Sequence, residues 1–136
     1  MEAILTSAAV APSASKARRR AGIALSALPA TFLVFDSLIK LALIPAVVEG
    51  TERLGFPVAT ARPLGLILLT CVLCYLWPRT AVLGAVLLTG YLGGAIAAHV
   101  RVGDPLFSHT LFPIYVALLL WGGLYLRDAR VRALAP

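Results

Sequence analysis

The chain has 136 residues, of which 60% are hydrophobic and only 13% are charged. A water-soluble domain is typically about half apolar and a quarter charged, so this composition excludes an ordinary soluble protein and indicates an integral membrane protein. The net charge of +6 does not indicate nucleic-acid binding, because the basic residues lie at the ends of apolar runs and form no stripe that could follow a phosphate backbone.

The N-terminal part combines a polar segment with a long apolar run. Residues 1–20 are rich in Ala, Ser and Pro and end in a basic cluster, which predicts a disordered basic N-terminal tail. A helix over residues 21–44 rises roughly 36 Å. That is enough to cross a bilayer and is longer than a secretory signal, so we predict an uncleaved first span. Asp36 and Lys40 lie one turn apart in it and can neutralise each other.

Three more spans follow, at about residues 61–77, 80–100 and 110–126. The segment 45–57 before them is more polar and is predicted to hold a short interfacial helix. Its charged residues, Glu49, Glu52 and Arg53, form either a solvated face or the roof of a pocket. Residues 21–127 are thus one four-helix domain, and residues 128–136 are a short cytoplasmic tail.

The loop "HVRVGDPLFSH" joins the third and fourth spans. Its Gly103-Asp104-Pro105 sequence predicts a chain reversal. Ser108 or Thr110 is placed to cap the next helix.

The distribution of Lys and Arg predicts the topology. With the N-terminus in the cytoplasm, eight basic residues lie on the inner side and three on the outer side, as the positive-inside rule requires. The inner residues are Lys16, Arg18, Arg19, Arg20, Arg79, Arg127, Arg130 and Arg132, and the outer ones are Arg53, Arg62 and Arg101. The predicted fold class is all-α: an integral membrane antiparallel four-helix bundle with both termini cytoplasmic.

Most of the unusual polar groups fall in the outer half of this bundle. The candidate ligand-binding residues are Asp36, Lys40, Tyr91, His99, Arg101 and His109. Ionisable residues within a span are costly and therefore functional candidates, and histidine titrates near neutrality. These groups favour a pocket for a quinone or lipid-like molecule. In the alternative interpretation, the charged pair fixes helix orientation and the loop residues cap helix ends.

The third span carries a stripe of small residues, Gly90, Gly94 and Ala98. This spacing predicts close packing against another helix of the bundle or, alternatively, a homodimer face. Cys71 and Cys74 lie in mid-helix and are interpreted as small packing residues. No metal site is predicted, because the histidines and the loop aspartate match no ligand spacing.

The stretches "FDSLIKL", "VVEGTERLGFP" and "GYLGGAIAAHVRVGDPLFSHTLFP" resemble the DoxX-like family of small four-span bacterial membrane proteins. The resemblance covers residues 21–133, with Ser37 where the family often has Gly. It implies a multi-pass protein of the bacterial inner (plasma) membrane. The family's namesake is a membrane subunit associated with thiosulfate:quinone oxidoreduction, so the resemblance also implies quinone as a cofactor and a role as subunit of a redox complex.

No catalytic residues carry over from this resemblance, and no complete catalytic constellation is visible in the sequence. A self-sufficient enzyme is therefore not expected. The alternative function is a non-catalytic scaffold or assembly subunit that docks a partner through the Gly-rich third helix.

Overall fold

The computed structural model describes the backbone of residues 2–135 and the side chains of residues 15–135. The helices are α1 (Glu2–Ala42), α2 (Pro45–Arg53), α3 (Ala61–Leu76), α4 (Ala81–Arg101), α5 (Phe112–Arg127) and α6 (Ala129–Leu134). A 3-10 turn (Val58–Thr60) precedes α3, and a π-helical turn (Leu106–Thr110) precedes α5. No strand occurs within residues 2–135, which confirms the all-helical class.

Among the described residues, four segments are long and apolar enough to cross a membrane: Ser15–Ala42, Val58–Leu76, Ala81–Arg101 and Leu106–Arg127. Each overlaps one predicted span. The first helix differs at its start, because it continues upstream through the segment predicted to be a disordered tail. Residues 16–20 are helical and exposed. Alanine and arginine favour helix, and extending an existing helix is far easier than nucleating one.

The ends of the spans follow from proline and glycine. Trp77, which precedes a proline, is extended and ends α3. Gly103 reverses the chain after α4 with a φ of +72°, as predicted. The predicted cap of α5 is wrong: this helix begins after Leu111 without a side-chain cap. The hydroxyl of Thr110 instead donates to the carbonyl of Asp104 (3.4 Å) within the loop.

The four long helices pack in a ring. α1 contacts α3 and α5, α4 contacts the same two helices, and α1 and α4 make little contact with each other. The largest fully buried side chains include Tyr75, Leu68, Leu88, Leu120 and Leu124, from α3, α4 and α5. The core therefore lies between the helices, while many large apolar side chains face outward, as expected of helices surrounded by lipid.

Three of the glycines bring the helices together at one end of the ring. A Cβ atom added at Gly84 of α4 would lie 2.2 Å from the backbone nitrogen of Tyr75. One added at Gly123 would lie 2.3 Å from the Ser26 hydroxyl, and one at Gly22 would lie 2.7 Å from the backbone nitrogen of Arg127. Helix backbones touch here because these residues have no side chain. We call this the closed end, and the opposite end, with α2 and the α4–α5 loop (102–111), the open end.

A buried polar network also holds the closed end together. The Tyr75 hydroxyl donates to the carbonyl of Leu120 (2.6 Å) and lies 2.9 Å from the Ser26 hydroxyl. Arg127 donates to Ser26 (3.1 Å) and to the Tyr75 carbonyl (3.2 Å), and its guanidinium lies 4.9 Å from the centre of the Tyr75 ring. The network therefore joins α1, α3 and α5.

Removing the Tyr75 hydroxyl should weaken this end. We expect Tyr75→Phe to lower the free energy of unfolding by about 1–2 kcal/mol, because the two hydrogen bonds of the buried hydroxyl are lost. Tyr125→Phe is the matched control, since Tyr125 is 44% exposed and its loss should cost little. The measurement is SDS-induced unfolding followed by tryptophan fluorescence. Equal stability of the two variants would contradict a structural role for the network.

Candidate functional site

A cavity of about 560 Å³ lies between the helices toward the open end. Its wall is mostly apolar. Four helices contribute to it, and α2 with the segment that follows α2 forms the roof. The lining residues are Phe32, Leu33, Asp36 and Lys40 of α1; Thr51, Leu54 and Phe56 of the roof; Ala61, Leu64 and Ile67 of α3; Gly90, Tyr91, Leu92, Gly94, Ala95, Ala98 and His99 of α4; and Phe112, Pro113 and Val116 of α5.

The cavity brings together Asp36, Lys40, Tyr91 and His99, four of the six predicted ligand-binding residues. The ammonium group of Lys40 donates to the Asp36 carboxylate along one turn of α1, as the spacing predicts. Both side chains are half-buried. The Tyr91 hydroxyl makes no hydrogen bond within residues 15–135, so it is free to bond a molecule in the cavity.

The small-residue stripe of α4 lies in the cavity wall. A Cβ atom added at Gly90 or Gly94 would meet no atom within 4 Å, and Ala98 also lines the cavity. Within the part of the chain whose side chains are described, Gly90 and Gly94 therefore make no close contact with another helix. The glycines at which helices do approach each other are Gly22, Gly65, Gly84 and Gly123.

Asp104 ties the roof to the end of α4. Its side chain is only 5% exposed and accepts hydrogen bonds from Arg53 of α2 (2.5 Å) and from the Nδ1 atom of His99 (2.5 Å). The Arg53 and His99 partners lower the pKa of Asp104 from 3.8 to about 2. The attraction is therefore complete above pH 3.8 and is lost as the pH falls through about 2.

Arg101 and His109 lie at the open end but outside the cavity wall. Arg101 donates to the carbonyl of Leu54, and its guanidinium lies 5.3 Å from the centre of the Phe56 ring. It thus holds the roof from outside. His109 is exposed, and its ring meets that of His99 edge-on at 5.9 Å.

For the segment that forms the roof, the sequence did not decide between two roles, a solvated face and the roof of a pocket. Of the two roles considered for the 45–57 segment, Arg53 takes part in the roof, whereas Glu49 and Glu52 are exposed. The apolar lining residues Leu54 and Phe56 were not predicted. Their signal is an apolar pair inside an otherwise polar loop, flanking Gly55, which ends α2 with a φ of +78°.

The described residues hold no metal-binding cluster. Between residues 15 and 135, no three or more His, Cys, Asp or Glu side chains are placed so that they could hold a metal ion. The two cysteines are free thiols, with Cys71 buried in the core and Cys74 half-buried.

Comparison with known proteins identifies the family. A sequence profile of the DoxX-like family matches residues 24–123. This range includes all four spans, except for the start of the first and the end of the last. No curated protein and no solved structure gives a significant match to the chain. The profile covers well over half of the sequence, and the chain therefore belongs to the DoxX-like family of membrane proteins.

Proposed function

We propose that this protein binds a neutral, amphiphilic small molecule, such as a quinone or another lipid-like compound, in the cavity at its open end. The observation that carries the proposal is that Asp36, Lys40, Tyr91 and His99, from two helices that scarcely touch, line one mostly apolar cavity. Ligand sites typically combine such a wall with a few convergent polar groups.

Charge favours a ligand without a net charge. Asp36 and Lys40 neutralise each other, and Asp104 is matched by Arg53 beside His99. An ionic ligand would add an unmatched charge to a region of low dielectric, which is costly. A hydroxyl or carbonyl head group gains hydrogen bonds at no such cost.

Size favours a head group with part of its apolar tail. The volume of about 560 Å³ falls within the range of roughly 300–1,000 Å³ found for small-molecule sites. Phenylalanines, leucines and alanines of the wall suit a hydrocarbon chain. The rest of a long tail can extend into the bilayer, since the cavity is partly open.

The proposal includes a topology. We take the chain to be an antiparallel bundle in a bacterial inner membrane, with its closed end and both termini in the cytoplasm, because the basic residues favour that orientation. The cavity then lies in the outer half of the membrane. Within a redox complex, this protein would supply a binding site for the quinone rather than the catalytic centre.

Filling the cavity should abolish ligand binding without unfolding the protein. We expect Gly94→Leu to remove most of the lipid-like material that co-purifies with the wild type, because its side chain would occupy the cavity and a Cβ atom there meets no neighbour. The measurement is mass spectrometry of organic extracts of the protein purified in nanodiscs.

Gly93→Leu is the matched control. Gly93 is the adjacent residue and also has no atom within 4 Å of an added Cβ, but it does not line the cavity. It should retain the wild-type extract. The proposal fails if the wild type yields no bound compound, or if both variants keep it.

One observation favours the scaffold alternative: Gly90, Gly93 and Gly94 form an open surface on α4 that could receive a helix of a partner protein. The same pair of variants separates the two functions. A docking surface predicts that a partner protein is lost from both leucine variants while the extracted lipids stay unchanged.

A further inference from the structure

His99 and Asp104 form an oriented pair at the rim of the cavity. His99 lies in the last turn of α4 and lines the cavity, and its Nδ1 atom is 2.5 Å from a carboxylate oxygen of Asp104. The other carboxylate oxygen receives Arg53 at 2.5 Å. The His99 imidazole is thus oriented by the Asp104 carboxylate, which is itself bound by Arg53 of the roof.

The orientation decides which ring nitrogen remains available. With its pKa lowered to about 2, Asp104 is ionised at neutral pH and can only accept hydrogen bonds, so the Nδ1–H of His99 is the donor. In a neutral imidazole this arrangement leaves Nε2 without a proton, as an acceptor. Nε2 makes no hydrogen bond within residues 15–135.

Apart from the Tyr91 hydroxyl, the other polar side chains of the cavity and its rim are occupied. Arg101 is bound to the Leu54 carbonyl, and Nδ1 of His109 lies 2.8 Å from the Ser108 hydroxyl. Lys40 and Asp36 are bound to each other. His99 belongs to the cavity wall, and its Nε2 atom is therefore an acceptor without a partner in this part of the chain.

We propose that His99 selects ligands whose head group carries a hydroxyl, such as a phenol, a hydroquinone or an alcohol, and that this hydroxyl donates its hydrogen bond to Nε2. Asp104 acts as a positioning residue, because it fixes the proton on Nδ1. The inference rests on the proposed function, since it names the head group of the molecule in the cavity. It favours the hydroxylated, reduced form of a quinone over the carbonyl form.

The test compares two probes that differ only at the hydroxyl, 4-octylphenol and its methyl ether 4-octylanisole. Both are titrated against the full chain in nanodiscs, with calorimetry as the readout. We expect the phenol to bind about ten-fold more tightly, because the ether cannot donate a hydrogen bond to Nε2. His99→Phe, which keeps a ring but has no acceptor, should bind both probes equally.

His109→Phe is the matched control and should keep the ten-fold preference, since His109 lies outside the wall. Asp104→Asn tests the positioning role through the ¹⁵N chemical shifts of the His99 imidazole. We expect the proton on Nδ1 in the wild type, and a shift of the proton toward Nε2 in the variant together with a reduced preference for the phenol. Retained binding of the ether in each variant establishes that its cavity is folded.

The outcomes distinguish the selection of hydroxyl groups by His99 from the binding of a ligand in the cavity. If wild type binds phenol and ether equally, the selection by His99 is overturned while the ligand-binding function stands. If an unchanged imidazole proton is found in Asp104→Asn, the positioning role is overturned. If neither probe binds the wild type, both the selection and the proposed function are overturned.

Discussion

Replacing Gly84 with alanine is expected to destabilise the protein by about 3 kcal/mol or more, at the upper end of the usual cost of overpacking. A single added methyl group would lie 2.2 Å from the backbone nitrogen and 2.5 Å from the Cα atom of Tyr75. Backbone atoms cannot swing aside as a flexible side chain does, so α3 and α4 must separate. That movement would also disturb the hydrogen bonds of Tyr75 with α1 and α5.

Gly90→Ala provides the matched control in the same helix. The added methyl group meets no atom within 4 Å, and alanine favours helix over glycine by about 1 kcal/mol, so this variant should be as stable as wild type or slightly more so. The measurement is the melting temperature in a mild detergent. Similar melting temperatures for the two variants would rule out the close approach of α3 and α4.

Replacing Lys40 with methionine is expected to cost about 3–5 kcal/mol, because removal of one partner leaves an uncompensated charge within a membrane span. The Asp36 side chain is only 26% exposed, and its partner in the structure is Lys40.

The double variant Asp36→Asn with Lys40→Met distinguishes the loss of the whole ion pair from the loss of one of its charges. It removes both charges together, so it should be more stable than Lys40→Met alone. Unfolding in SDS would measure the free energies of unfolding of the wild type, Lys40→Met and the double variant. A double variant less stable than the single one would mean that the pair does not act as a unit. If it folds but loses the bound compound, the pair also contributes to the cavity.

The sequence was sufficient to predict the spans, because their signal is local. About 30 Å of hydrocarbon must be crossed by apolar residues, and proline and glycine end the helices at Leu76 and Arg101. The interfacial helix before α3 was also predicted and appears as Pro45–Arg53.

The contacts between helices were less predictable, since spacing along one helix does not say which face meets a neighbour. The regular stripe of Gly90, Gly94 and Ala98 lines the cavity, whereas the isolated Gly84 and Gly123 bring backbones together. Tyr75 looked like one more apolar residue of a span, yet it organises the buried network.

The candidate site was predicted only in part, because the sequence gives the depth of a side chain along its helix but not its direction. Depth along the helices could be counted at 1.5 Å per residue, which placed Asp36, Lys40, Tyr91 and His99 in the outer half of the bundle. The direction of a side chain at the end of a helix or in a loop could not be counted in this way. Arg101 and His109 therefore turned out to lie outside the wall, and Asp104, expected only to help reverse the chain, holds both His99 and Arg53.

The partly open wall of the cavity has a consequence for how occupancy is controlled. Ile67 and Phe112 line the cavity and are also 51% and 41% exposed, within segments long enough to lie in the bilayer. A hydrophobic molecule can thus arrive sideways from the lipid without dissolving in water. Occupancy then depends on its mole fraction in the membrane, and dilution of the protein into excess detergent should empty the cavity even at constant total concentration of the compound.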